Sequence, residues 1–437
     1  MAMVSSSARA TAGESRPSRR LVGLDGIRGL AALFVMLHHC WLLSFPGYPE
    51  TNGPGWSNWL VYGHFAVVIF IVLSGFSLAV SPARHDWALG GRARFAHRRA
   101  WRILPPYWAA LVVSLLVSWF VVVPERVPDG KSVIIHGLLL QDVFGSNTPN
   151  GAFWSIAIEA QLYLVFPLLL VVLRRAGSIV MLTGMTLIVV TVGALAPHMS
   201  IVDALMRFTP QFAALFALGV VAAGVLRASD RMRAVPWAWL ALAAVIPPVA
   251  LVVVQGSVWT VENFFWVDLA FGPAFGALLA AIALGGPKRL VWFLDTPPVK
   301  SLGSFSYSLY LIHAPILVIV YQKLVAPRID PGVPRFLTML VVGGPLAVLG
   351  ARLFASVFEL PFTRHRTWPE LRTAMQTRAS VLRGRWTGGR RPALATGHQV
   401  DELTAAVDDR PLLPAQVHPV HSGPGPDPLV AGEVQGP

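Results

Sequence analysis

Charge is scarce in this chain: 13% of its 437 residues are Asp, Glu, Lys or Arg, against roughly 25% in an ordinary soluble domain. So few charges cannot coat a water-soluble globule of this length. Cysteine is scarcer still, with Cys40 alone, which excludes a disulfide scaffold. Cys40 itself reads as a small buried hydrophobe rather than a reactive thiol. Acidic residues number 22 against 35 basic ones, a formal charge of +13, which in a soluble protein would point to nucleic acid. There is also no internal repeat of the kind many secondary transporters show. What the chain has in quantity is apolar surface: 54% hydrophobic residues and a mean hydropathy of +0.59. Fifteen Trp and 23 Phe speak against disorder over most of its length. These features predict an all-α, polytopic helical membrane protein.

A helix crosses a bilayer with roughly 20 mostly apolar residues. Ten segments qualify: 24–44, 59–81, 104–123, 153–173, 178–196, 205–226, 237–254, 264–285, 305–325 and 336–360. The sixth is weakened by Pro210 and Gln211, and the seventh is interrupted by Pro247 and Pro248. Loops then alternate in charge. Eighteen basic residues fall on the side of the N-terminus, including Arg84, Arg92, Arg94, Arg98, Arg99 and Arg102 after the second segment, and six on the other side. The positive-inside rule places both termini in the cytoplasm. The charge excess thus argues for orientation rather than for nucleic acid. The expected organisation is an N-terminal tail (1–20), a membrane domain (21–362) and a C-terminal tail (363–437). That tail is basic at Arg364, Arg366, Arg372, Arg378, Arg383 and Arg385, then rich in Pro and Gly. It lacks apolar periodicity and is expected to be disordered.

Ionisable residues inside spans are costly and are functional candidates by default. In the first segment, Arg28 and His39 are eleven residues apart, three turns plus about 20°, so they share a face about 16 Å apart. Asp25 lies three residues before Arg28 and can pair with it. A packed, hydrogen-bonded His39 and a snorkelling Arg28 would give the same pattern. His38 points about 100° away from His39, so the doublet makes no metal pair. Ser155, Glu159 and Tyr163 share one face of the fourth segment, and Ser306, Tyr310 and His313 one face of the ninth. Each set also fits ordinary helix packing. The arginine cluster around 92–102 satisfies topology, and it equally suits an anionic ligand, because guanidinium groups grip phosphates bidentately. Ser74 and Gly75 read as a close-packing signal.

Several segments together resemble the acyltransferase-3 family of bacterial integral-membrane O-acyltransferases. LDGIRGLAALFVMLHH carries the first-helix pattern of a basic residue, ten others and a histidine, here Arg28 and His39. VLSGF at 72–76, Arg99-x-x-Arg102-Ile followed by Pro105 and Tyr107, FWSIAIEAQLY and YSLYLIHAP follow in the family's order. The resemblance covers roughly residues 20–362, and five ordered motifs make it specific. It implies about ten helices and transfer of an acyl group, usually acetyl, from acyl-CoA to a hydroxyl of a sugar or a glycosylated or macrolide-type natural product. It further implies a multi-pass protein of the bacterial cytoplasmic (inner) membrane.

On that basis His39 is the expected base or transient acyl carrier, and Glu159 is a candidate catalytic residue that orients His39 or binds the sugar. Arg28, Arg99 and Arg102 are the expected CoA-binding residues. Ser155, Tyr310 and His313 are candidate substrate-binding groups. No permanently bound cofactor and no metal are expected; acyl-CoA is a donor substrate. The expected partners are acyl-CoA, the hydroxyl-bearing acceptor and the lipid bilayer, with no nucleic acid. The alternative class is a transporter or flippase of a glycan or lipid-linked substrate, in which the same polar stripe would be a path.

Overall fold

The computed structural model describes residues 21–121 and 128–386. The N-terminal tail and the far end of the C-terminal tail lie outside the described residues. Residues Arg20–Gln376 form one compact unit, and its described residues are helical with no strand.

The principal helices are α1 (Leu24–Leu42), α2 (His64–Arg84), α3 (Arg92–Val121), α4 (Gly130–Gly137), α5 (Phe153–Leu195), α6 (Gln211–Ala222), α7 (Trp237–Glu262), α8 (Phe264–Ala283) and α9 (Pro297–Ser304). They are followed by α10 (Ser306–Val325) and α11 (Val333–Arg364), then α12 (Trp368–Trp386). Seven described helices are long and apolar enough to cross a membrane, or eight with the bent pair Ser200–Phe208 and Gln211–Arg227. The expectation of ten differs for two physical reasons. Asp25, Arg28, His38 and His39 dilute the apolarity of α1. And α5, at 43 residues, is about 65 Å long at 1.5 Å per residue, twice a hydrocarbon core of about 30 Å. It breaks at Gly177, whose φ of 85° is outside helical space, between the two segments expected there. In α7 the break falls at Gly256 rather than at Pro247 and Pro248, which stay helical. The bend of 49° before α6 falls where Pro210 weakened the pattern.

Helix α2 is the most buried of the candidate spans, at 67%, and small residues let its neighbours reach it. A Cβ on Gly75 would strike the carbonyl of Phe216, and one on Gly219 the carbonyl of Val72, so α2 and α6 meet backbone to backbone. Helix α1 is seated in the same way: Gly26 lies on the carbonyl of Leu294, and Gly29 on the backbone of Gly303 in α9.

Two regions differ from expectation. The arginines between 92 and 102 stand on the first turns of α3, not in a loop, so their positions are fixed relative to the bundle. The tail, expected to lack structure from 363 onward, is helical over Trp368–Trp386. Its start is anchored by Trp101, whose indole donates to the carbonyl of His365 at 2.8 Å and packs edge-on to Trp368, and by Leu371, which is buried. No periodicity rule reports a dock built on one tryptophan.

Candidate active site

Helices α1, α2, α3, α5, α9, α10 and α11 line a cavity of about 490 Å³. Its lower wall is cationic. Arg28 pairs with Asp25 at 3.0 Å and donates to Ser77 at 2.6 Å, so the predicted intrahelical pair is present. Arg99, Arg102 and Arg364 line the same space, and among the described residues none of the three has a carboxylate partner. The Nε of Arg99 is buried without any hydrogen-bond partner. Guanidinium groups with no carboxylate in direct contact at a part-buried wall favour an anionic ligand.

Higher in the cavity, Glu159 accepts from Ser74 at 2.7 Å and from Tyr163 at 2.5 Å. The i, i+4 spacing read from sequence is therefore a real contact, and Ser74 serves hydrogen bonding as well as packing. Glu159 is thereby held against α2, and its hydrogen bonds do not extend to His39. At the top, the hydroxyls of Ser155 and Tyr310 meet at 2.6 Å. Glu359, which sequence reading passed over, also lines the cavity. It accepts from both the backbone N–H and the hydroxyl of Ser308 at 3.0 and 2.6 Å, holding α11 to the start of α10.

His39 and His313 sit together beyond Tyr310 and are not part of the cavity wall. Their rings are 4.9 Å apart, and His313 is 6.0 Å from the Tyr310 ring. In each histidine Nδ1–H donates to the carbonyl four residues earlier, Val35 for His39 and Leu309 for His313, both at 2.9 Å. That assignment follows from the acceptors present. It leaves Nε2 of His39 as a free lone pair. Nε2 of His313 lies 3.3 Å from His39 Nδ1, where it shares the proton already donated to Val35. His38 turns away and bonds the carbonyl of Leu60 through Nδ1 at 2.7 Å, which removes the ambiguity of the doublet: His39, not His38, faces His313. Cys40 is buried.

Asn150 braces this top region. It donates to Ser114 and to the carbonyl of Leu311, while its own Oδ1 accepts from Ala152 N–H, tying the start of α5 to α3 and α10. In the same loop burial pushes the Asp142 carboxyl up to about 7.

Sequence reading also missed His64 and Asp268, a hydrogen-bonded pair at 3.0 Å whose carboxylate is fully buried. A signal existed, since Asp268 is the lone acid in the apolar run FFWVDLAF, and an ionisable group in such a run is a candidate by default.

The acyltransferase domain family matches residues 21–355, more than three quarters of the chain. The chain belongs to the acyltransferase-3 family. Family relatives include the peptidoglycan O-acetyltransferase OatA of Listeria monocytogenes, 26% identical over 70% of this chain and 51% of the relative. Acyltransferase MdmB of Streptomyces mycarofaciens is 25% identical over 67% of this chain and 78% of the relative. The O-acetyltransferase OatA of Staphylococcus aureus is 26% identical over 71% and 53%. The chain spans about half the length of the two OatA proteins. No solved structure gives a significant match. In family terms, the matched region holds every candidate residue named from sequence, from Arg28 to His313, and the apolar helices make this member a multi-pass membrane protein.

Proposed function

We propose that this protein is a membrane O-acyltransferase that moves an acyl group, acetyl in the simplest case, from acyl-CoA to the hydroxyl of a sugar or a glycosylated or macrolide-type natural product. The observation that carries the reading is the order of groups along the bundle: arginines without a direct carboxylate contact among the described residues line one end of the cavity, the Ser155 and Tyr310 hydroxyls line the other, and the His313–His39 pair stands just beyond Tyr310. The relatives' names, peptidoglycan O-acetyltransferase and acyltransferase, agree with it.

Arg99, Arg102 and Arg28 would hold the phosphates of CoA from the cytoplasmic side, with both chain termini on that side. The thioester would then reach the Ser155–Tyr310 pair. A hydroxyl attacks a thioester slowly unless its proton is removed and the developing oxyanion is stabilised. Nε2 of His39 takes the acceptor's proton as the acceptor oxygen bonds to the carbonyl carbon. The Tyr310 or Ser155 hydroxyl donates to the oxyanion. The C–S bond then breaks, and the proton on His39 passes to the departing thiolate, giving an O-ester and free CoA thiol. His313 is a positioning residue: its Nε2 steadies the Nδ1–H of His39 as the imidazolium forms. Glu159 fixes Ser74 and Tyr163 along the path rather than handling the reacting proton.

The test is single-turnover transfer by the purified protein in lipid nanodiscs, using acetyl-labelled acetyl-CoA and following release of the thiol. Thioester cleavage by the wild type that disappears in His39→Ala supports the reading. A wild type that cleaves no thioester but moves a labelled glycan between leaflets would establish a transporter instead.

A further inference from the structure

At the His39 end of the bundle a second cluster brings together α2, α5, α6 and α8. His64 opens α2, directly after Gly63, whose missing side chain leaves room for the ring of His38. The cluster is therefore next to the reactive end and away from the arginines. His64 Nε2–H donates to both oxygens of Asp268 at 3.0 Å. Gln211 supports the same carboxylate with an N–H at 3.3 Å. The imidazole stacks on Phe264 at 3.9 Å and on Trp154 at 5.8 Å, nearly parallel to both.

Two observations mark this as more than a neutralised buried acid. A carboxylate gripping Nε2–H fixes the tautomer, so Nδ1 presents a lone pair. Among the described residues nothing donates to it, although the His64 side chain retains 16% exposure. Behind it, the Oε1 of Gln211 is buried with no partner among the described residues, in a residue only 5% exposed, so the cluster has unused hydrogen-bonding capacity. Its position also matters. Trp154 precedes Ser155 on the first turn of α5, so one turn presents its hydroxyl to the cavity and its indole to His64.

We propose that His64 is the docking point for the acceptor alcohol: a hydroxyl of the acceptor donates to Nδ1, with Asp268 and Gln211 as positioning residues that hold the ring. This rests on the acyltransferase reading and adds to it the side from which the acceptor arrives. The donor enters past Arg99 and Arg102, and the acceptor enters at the opposite end, over His64.

The two half-reactions separate the roles. Acetyl-CoA hydrolysis, with water as acceptor, is measured on purified protein in nanodiscs. Alkali-released acetate is measured from cell envelopes and products of cells carrying each variant. His64→Phe keeps the stack and removes the lone pair; it is expected to lower ester formation at least tenfold with hydrolysis within twofold of wild type. His64→Gln, whose amide N–H can face Asp268 and whose oxygen can accept, should recover at least a third of the ester. If His64→Phe does not fold, the double variant His64→Phe/Asp268→Asn, which removes the stranded charge, takes its place. Ester formation at wild-type level in these variants overturns the proposal, as does a parallel fall in hydrolysis and ester. A wild type without hydrolysis or ester overturns the acyltransferase reading and this one with it, and does so before any variant is made.

Discussion

The two ends of this bundle handle polarity in opposite ways. At the Arg28 end, Arg28 has Asp25, while among the described residues Arg99, Arg102 and Arg364 face the cavity with no carboxylate in direct contact. At the His39 end each imidazole has one ring nitrogen settled by a neighbour: His38 on Leu60, His39 on Val35, His313 on Leu309 and His64 on Asp268. Charge left unpaired is suited to capturing a charged ligand. Imidazoles whose N–H is already committed are suited to receiving a proton at a known atom. Under the proposed mechanism, binding and proton transfer would be separated by where hydrogen bonds have been satisfied, not by how many polar residues each end holds.

Four experiments press on that contrast. The largest effect is expected from His39→Ala, a fall in kcat of about a thousandfold, within the range for loss of a general base; donor binding by titration should not change. Retained turnover would end the proton-transfer half of the comparison. Next, Arg99→Ala or Arg102→Ala should raise KM for acetyl-CoA about 10- to 100-fold, the worth of one charge-assisted hydrogen bond, with kcat little altered. If kcat falls and KM stays, the arginines do not bind the donor, and the contrast between ends collapses. His313→Gln should lower kcat roughly tenfold by loosening His39, without moving KM, as steady-state kinetics would reveal. A KM effect there would mean that His313 touches substrate.

The smallest effect concerns the loop beside the His39 end. A carboxyl whose folded pKa is raised binds protons more tightly when folded, so its contribution to stability declines as pH rises. For Asp142, raised by burial to about 7, the decline runs from roughly pH 4, its unfolded range, to about 7. Asp142→Asn should therefore raise Tm by about 2 °C at pH 8, of the order of 1 kcal/mol, and change nothing at pH 4. Thermal melts at the two pH values check this, and an equal shift at both would place the effect outside titration.

Much of this arrangement was legible in the sequence, for reasons specific to each residue. Asp25 and Arg28, or Glu159 and Tyr163, meet because helical spacing alone brings them together. The bend near Pro210 followed from a residue that disfavours helix locally, and the break at Gly177 falls in the gap read between two apolar segments. Pairings across helices were not legible. That Ser155 meets Tyr310, that Glu159 takes Ser74 and that His313 rather than Glu159 stands beside His39 depend on how α1, α2, α5 and α10 are rotated against one another. No single-helix periodicity encodes that rotation. His64 and Asp268 were missed as a pair because 204 positions separate them, although Asp268, alone in an apolar run, was itself a candidate.

Helix α1 carries a lasting consequence. It bears Arg28 at one end and His39 at the other, is uninterrupted between them, and is seated through Gly26 and Gly29 directly on neighbouring backbone. It therefore cannot slide to absorb an error of register. One residue inserted between positions 30 and 36 would leave Arg28 in place while turning His39 by about 100° and lifting it about 1.5 Å. The first helix is in this sense a gauge, and its length in whole residues is as much a part of the site as the side chains it carries.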